Sequence, residues 1–418
     1  MSKLDFLWKP NFLGRGMLLG TLALAGGCGS FGVSDPETNR RDSEPIYDFK
    51  SAERNEESAR VAARAQNEFG LKLLRVVAEK QPKENTFVSP TSVWMALAMA
   101  EKGTRGDAQT ELRRVLALQK NNDASVTALR ATLAAQGLKI NLANAIWADE
   151  ETPFAPVFTQ KSAQIFGATA KTLNFQAPQS VDTINTWVEK QTDGEIKNLV
   201  KELPLAGAVL TNALYFRGRW QTPFEKSATE DAPFYLPDGT QKSVPFMSGE
   251  GFQGFKGASF EGAILPYANS SCELWAVLPA KGKTPLEVMK NLNAAKLDKI
   301  TPGFQTEIRL PRVSLDWGAS LKSSLQTLGL KTVFTNPDLR PMGFLPPAYL
   351  SEVKHKTRLE IDEQGTVAAA ATEENFPASA DSLDEPKNLV FDRPFLLLLR
   401  ETRSGAVLFA GIINDPQK

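Results

Sequence analysis

Residues 360–388 constrain the fold more than any other stretch of this chain. They read Glu360-Ile361-Asp362-Glu363-Gln364-Gly365-Thr366-Val367-Ala368-Ala369-Ala370-Ala371-Thr372, then Glu373-Glu374-Asn375-Phe376-Pro377-Ala378-Ser379-Ala380-Asp381-Ser382-Leu383. The first half is small and uncharged after Gly365, whereas the second half carries the Pro, Asn, Ser and Asp of a turn-rich loop. An apolar run of buried-strand type follows, from Leu389-Val390-Phe391 through Phe395 to Leu399. A long exposed loop therefore joins two strand-like segments. Its first arm consists of residues that enter a sheet without steric penalty. In a strand Thr366, Ala368, Ala370 and Thr372 share one face, and small side chains there avoid overpacking a closed sheet. Alanine also has the best helix propensity, so composition alone leaves helix and strand open.

The order of motifs around this stretch is informative. Glu363-Gln-Gly-Thr-Val-Ala-Ala-Ala-Ala-Thr372, preceded by His355-Lys356-Thr357 and followed by Phe391-Asp-Arg-Pro-Phe395, resembles the hinge and reactive-centre loop of the serpin family. Asn85-Thr-Phe-Val-Ser89-Pro90-Thr-Ser92 resembles the segment opening the family's second helix, and Ser89 and Pro90 suit N-cap and first helical position on their own account. Asn212-Ala-Leu-Tyr-Phe216-Arg-Gly218-Arg-Trp220 is similar to another family signature. Further blocks, at residues 141–147, 181–196, 264–267, 278–279 and 308–311, follow in the family's order. The resemblance spans residues 56–418. It implies an α+β serpin fold with three β-sheets, eight to nine helices and an exposed reactive-centre loop.

Residues 1–28 read as an export signal: Lys3, Lys9 and Arg15, then a short apolar core over residues 17–25, then small residues before Cys28. Ala25-Gly26-Gly27-Cys28 resembles a bacterial lipobox, with Leu24 one place earlier than the pattern has its leucine. Lipidation at Cys28 and anchoring to the bacterial outer membrane or cell surface are implied, with secretion of a cleaved chain as the alternative. Residues 29–55, rich in Ser, Asp, Glu, Pro and Arg, form a flexible linker. The folded domain covers 56–418. Its first helix is marked by Val61, Ala65, Phe69, Leu73 and Val77 at helical spacing. Residues 208–216 form a nearly continuous apolar run, hence a buried central strand, and its one amide, Asn212, needs partners or costs roughly 1–3 kcal/mol. Residues 395–399 and 407–413 form a C-terminal hairpin.

Charge is balanced, 48 basic against 48 acidic residues, which argues against a nucleic-acid partner. Arg113, Arg114, Lys120 and Arg130 are too sparse for a polyanion site. Cys28 and Cys272 are the only cysteines, so no disulfide scaffold exists. His355 is the only histidine, and without a Gly-x-Ser-x-Gly elbow or a nucleotide-binding glycine motif the chain is not read as an enzyme. No cofactor or metal is expected. The resemblance instead implies a monomeric suicide inhibitor of a serine, or alternatively a cysteine, endopeptidase. Glu363, Gly365, Thr366, Ala368, Ala369, Ala370, Ala371 and Thr372 match the loop hinge. Ser89, Ser92, Asn212 and His355 match the shutter beneath the main sheet, with Trp220 as a further structural residue.

The family's usual hinge length places the scissile bond between Ser379 and Ala380; the loop is about four residues longer than is typical, which leaves Leu383 open. No Lys or Arg lies between Gln364 and Glu385, so a trypsin-like target, with its Asp pocket, is disfavoured. Cleavage after Ser379 or Ala378 suits an elastase- or subtilisin-like protease, and cleavage after Leu383 or Phe376 a chymotrypsin- or papain-like one. A non-inhibitory serpin serving as a binding or chaperone-like surface protein is the alternative function. Glu374 bears on that choice, because it shares the Thr366 face and would be carried inward on insertion.

Overall fold

A computed structural model describes residues 55–120, 122–135, 139–205, 207–268, 270–366 and 387–417. Cys28, Ala368, Ala369, Ala370, Ala371, Thr372, Glu374, Ser379 and Ala380 lie outside the described residues, as do the signal segment and nearly all of the linker. The first half of the domain holds α1 (Glu56–Lys80), β1 (Thr86–Val88), α2 (Pro90–Lys102), α3 (Gly106–Val115), α4 (Asp123–Ala134), β2 (Lys139–Asp149), α5 (Pro156–Phe166), β3 (Thr169–Leu173), α6 (Gln179–Gln191) and β4 (Ala208–Arg219). Then come β5 (Glu230–Tyr235), β6 (Gln241–Gly257), β7 (Phe260–Pro266), β8 (Cys272–Pro279), α7 (Pro285–Asn291), α8 (Ala294–Leu297), β9 (Phe304–Pro311), β10 (Val313–Ser320) and α9 (Lys322–Thr327). The chain closes with β11 (Leu350–Asp362), β12 (Gly365–Thr366), β13 (Lys387–Val390), β14 (Phe395–Glu401) and β15 (Val407–Ile413).

Six strands form the main sheet, in the order β10-β11-β12-β4-β2-β3. The other strands pair as β1-β15-β14-β8-β7-β6-β9-β13, with β5 on β6. Where the resemblance counts three sheets, hydrogen bonding links the described strands into two networks. The reason is β6, 17 residues long. Its first half pairs with β5, its second half with β7, and β9 runs along both halves across an irregularity between Gly249 and Phe252.

The core lies between the two sheets and around α2, whose residues from Pro90 to Glu101 are all buried. A helix apolar on every side must lie inside. Ser89 caps it, its hydroxyl accepting the Ser92 amide at 3.2 Å, and Pro90 occupies the first turn. β4 is central in the main sheet and buried from Ala208 to Phe216. Alternation along it sends Leu210, Asn212 and Leu214 toward α2, and Val209 and Ala213 toward α6. There Ile184 and Val188 of α6 pack on Ala143, Ala145 and Trp147 of β2. The C-terminal hairpin forms as β14 and β15, entirely buried.

The helical stripe expected on α1 is displaced. Val61 is 36% exposed, and the buried face runs through Ala59, Ala62, Ala63, Phe69, Leu73 and Leu74. Two amides account for the shift. Gln66 donates to the Val407 carbonyl at 3.1 Å, while Asn67 donates to the Gly405 carbonyl at 2.8 Å and accepts the Val407 amide at 2.8 Å. Satisfying the edge of the C-terminal hairpin turns that polar pair inward, and Val61 faces out.

Candidate functional site

Two central strands of the main sheet, β4 and β11, run parallel. After a shift between Leu350 and Glu352, their register holds from Glu352 against Val209 to Thr357 against Leu214. Beyond that level they part. Asp362 turns the chain, its Oδ1 accepting the Gln364 and Gly365 amides at 2.8 and 3.1 Å. The chain then doubles back as β12, in which Gly365 and Thr366 pair with Asp362 and Ile361 on one side and with Arg219 and Gly218 on the other. The first two residues of the loop arm thus already sit as a strand between β11 and β4.

Four residues, Tyr267, Trp220, Arg312 and Thr229, fix the turn and this wedge. Thr366 is buried and its hydroxyl meets the Tyr267 hydroxyl at 2.6 Å. Tyr267 stacks on Trp220 with centroids 4.6 Å apart. Trp220 donates its amide to the Gln364 carbonyl at 3.0 Å and its indole N–H to the Asp362 carbonyl at 2.9 Å, so it clamps both sides of the turn. Glu363 is buried; its Oε1 accepts Arg312 Nε and Nη2 at 2.9 and 2.6 Å and the Thr229 hydroxyl at 2.6 Å. Burial pushes this carboxyl up, but the Arg312 and Thr229 hydrogen bonds outweigh it and hold the group below the usual carboxylate range.

Gly365 is the tightest point of the hinge. Its φ is +154°, and a Cβ there would lie 2.1 Å from the Gly218 carbonyl oxygen and 2.8 Å from the Arg219 Cα. Only glycine fits between the two strands with that backbone.

Lower in the same seam a row of polar side chains crosses three strands. In register, His355 of β11 stands beside Asn212 of β4, and Asn212 beside Asn144 of β2. The start of α2 lies under them. The Ser89 amide donates to His355 Nε2 at 3.0 Å, so the ring proton is assigned to Nδ1, which faces the Asn212 carbonyl at 3.3 Å. Asn212 Nδ2 donates to the Ser92 hydroxyl at 2.6 Å and to Asn144 Oδ1, which also accepts the Ser92 hydroxyl at 3.0 Å. Asn144 Nδ2 returns to the Ser92 carbonyl at 3.3 Å. Here side chains and one helix end reinforce the backbone ladders, and such side-chain hydrogen bonds can exchange partners.

Ser89, Ser92, Asn212 and His355 therefore come together, whereas Trp220 stands at the hinge turn. Asn144 completes the cluster without having been singled out in the sequence. Its signal was there: it shares a strand face with Leu142 and Ile146, where an amide needs a reason. Tyr267, Arg312 and Thr229 carried no such signal.

The family model for serpins (serine protease inhibitor) matches residues 64–416. The chain belongs to the serpin family. A serpin-like protein of Thermococcus kodakarensis, itself uncharacterised, is 30% identical over 426 residues, covering 96% of this chain and 99% of that protein. The leukocyte elastase inhibitor of Sus scrofa is 30% identical over 376 residues, covering 84% and 98%. Among solved structures, the thermophilic serpin tengpin in its native state superposes with a TM-score of 0.77 at 24% identity, covering 89% and 96%; this shows the shared fold. Most serpins are protease inhibitors rather than enzymes, acting generally as monomers on target proteases.

Burial pushes His355 down to about 4 from its ordinary 6.5, with the Asn212 carbonyl opposing. A proton on Nε2 would face the Ser89 N–H. Because the folded value is depressed, the unfolded chain binds the extra proton first as pH falls. The stability is therefore whole above pH 6.5 and is lost on the way down to about pH 4, by on the order of 3 kcal/mol. His355→Gln, which cannot take the proton, should lower the thermal midpoint at neutral pH and flatten its fall over that window, as read by calorimetry at a series of pH values. Gly365→Ala should expel β12 or destabilise the domain by about 1–3 kcal/mol. Hydrogen exchange of the Thr366 amide, protected in the parent, tells whether the wedge has left the sheet.

Proposed function

We propose that this serpin inhibits a serine endopeptidase as a suicide substrate. The observation that carries the reading is β12: the loop arm enters the main sheet for two residues, and small residues follow it in the sequence. The target's catalytic hydroxyl attacks the scissile carbonyl, the peptide C–N bond breaks, and the new amine leaves with the C-terminal part of the loop. The remaining acyl ester tethers the protease to Ser379 if the bond is Ser379–Ala380. The freed arm then continues β12 down the seam, through the level of His355 and Asn212. Strand addition and release of stored strain are the physical modes that serpin loop insertion exemplifies. About a dozen new backbone pairs at roughly 1 kcal/mol each supply on the order of ten kcal/mol. Inhibition requires insertion to outrun deacylation, which the Gly365 pivot and the side chains of Thr366, Ala368, Ala369, Ala370, Ala371 and Thr372 favour. A cysteine protease would be held by the corresponding thioester.

The loop has no basic residue between Gln364 and Glu385, which favours elastase-, subtilisin- or chymotrypsin-like targets over trypsin-like ones. The relative named for leukocyte elastase is consistent with a small P1 pocket. The chain is not an enzyme in this reading: His355, its one histidine, is buried, with one ring nitrogen on the Ser89 amide at the start of α2 and the other facing the Asn212 carbonyl of β4. Export and lipid anchoring at Cys28, or secretion, belong to the same proposal, as do a monomeric state and the lack of a nucleic-acid partner; they rest on the sequence.

One residue favours the second reading, a non-inhibitory binding or chaperone-like protein. Thr366 points into the core beside Tyr267, and Glu374 is eight positions on, so full insertion would carry its carboxylate to the same side.

Incubation of the exported chain with elastase, subtilisin, chymotrypsin and papain should give a band at the summed mass that survives denaturation. Thr366→Arg should abolish that band and leave plain cleavage, because an arginine cannot occupy the space beside Tyr267. A covalent complex formed by the variant would refute insertion as the trapping step, and clean cleavage of the parent without a covalent band would favour the second reading.

A further inference from the structure

The stubs of the reactive loop flank a cleft of ≈ 530 Å³. Phe224, Phe252 and Ile308 are buried in its floor, and Phe224 and Phe252 stack with centroids 5.5 Å apart. On one side the Phe224 amide donates to the Glu363 carbonyl at 2.9 Å, tying the cleft to the hinge. On the other, Asn388 lines it in register with Glu307, two residues into the described return of the loop. Both described ends of the loop thus border this cleft, on the side that a protease taking the loop as a substrate would approach.

Its charge is one-sided. Glu225 and Glu250 are exposed on the rim and Glu307 is half-buried beside them. Among the described residues no ion pair involves these three. Arg309 is the one cation of the lining, and its guanidinium lies over the Phe246 ring at 5.7 Å. The loop sequence between Thr366 and Lys387 carries Glu373, Glu374, Asp381, Asp384 and Glu385 without a single basic residue. Like charge disfavours that acidic sequence, from this chain or a second copy, as the occupant of the cleft. A cationic segment with an apolar side chain suits both the rim and the phenyl floor.

We propose that this cleft is a docking site for a basic, partly apolar surface segment beside the active site of the target protease, and that Glu225, Glu250 and Glu307 set the rate of encounter. This rests on the inhibitory reading above for the identity of the partner. Opposed surface charge raises association rates and fades with salt. The site therefore selects among small-pocket proteases by the charge of their rims, before the loop sequence is read.

The test compares the parent with the triple variant Glu225→Gln, Glu250→Gln, Glu307→Gln. The probes are a cationic elastase and an anionic subtilisin, each at about 0.01 M and about 0.15 M salt. The second-order rate for the cationic protease should fall about tenfold at low salt. The gap should narrow at higher salt, with the stoichiometry of inhibition unchanged and the anionic protease not slowed. A control triple with the same charge change elsewhere, Glu57→Gln, Glu151→Gln, Glu202→Gln, should leave the cationic rate near that of the parent. The single variant Glu250→Gln, at an exposed position, should show part of the loss and covers the case of a misfolded triple. Equal rates for parent and variant, equal slowing by the control, or a change in stoichiometry alone would overturn the docking site. If neither protease forms a covalent complex, the inhibitory reading fails by itself. The rate of loop cleavage by the same two proteases then decides the docking site on the same comparison.

Discussion

The seam between β4 and β11 is the constraint on which the rest of this structure depends. Two central strands run parallel and in register for half their length, then separate around a two-residue wedge. Parallel pairing is slightly weaker per residue than antiparallel pairing, and at mid-height it is reinforced by exchangeable side-chain hydrogen bonds. The Ser89 amide reaches His355 from the helix below, and His355 in turn faces the Asn212 carbonyl across the seam. A purely apolar seam would gain packing but would have no partners to exchange on opening. Asn212 Oδ1, buried and without a partner among the described residues, is a local cost of this arrangement, on the order of 1–3 kcal/mol.

The two levels of the seam do different work. At the top, Glu363 is pinned through Arg312 and Thr229, and Trp220 closes the turn. The chain must reverse there whether or not the loop is cut. The fixed turn makes Gly365 the point at which the chain enters the seam, with Thr366 directly after it. At mid-height the polar row ties β11, β4 and β2 to the start of α2. Small residues after the pivot make the downward path sterically open. Two residues of the arm already stand between β11 and β4 in the intact molecule, which is the start that the proposed trap requires.

Much of this was legible in the sequence, within limits set by what periodicity reports. The buried central strand, the capped second helix and the C-terminal hairpin follow from apolar runs and local cap chemistry, each a property of one segment. The shutter residues were reached through a resemblance of motifs, and Asn144 escaped because the strand around it read as ordinary alternation. Tyr267, Arg312 and Thr229 escaped for a different reason. They meet Thr366 and Glu363 across 99, 51 and 134 residues of sequence, and no local pattern encodes such a meeting. The stripe on α1 was misplaced because apolar spacing takes no account of Gln66 and Asn67, whose amides the hairpin edge needs.

The most direct test of an openable seam is the thermal unfolding of the intact protein against the same protein nicked once in the loop, by calorimetry. If the seam admits the arm, the nicked form unfolds higher by on the order of ten degrees or more, with both fragments still associated. An unchanged or lower midpoint for a nicked protein whose fragments remain together would mean that the seam stays shut.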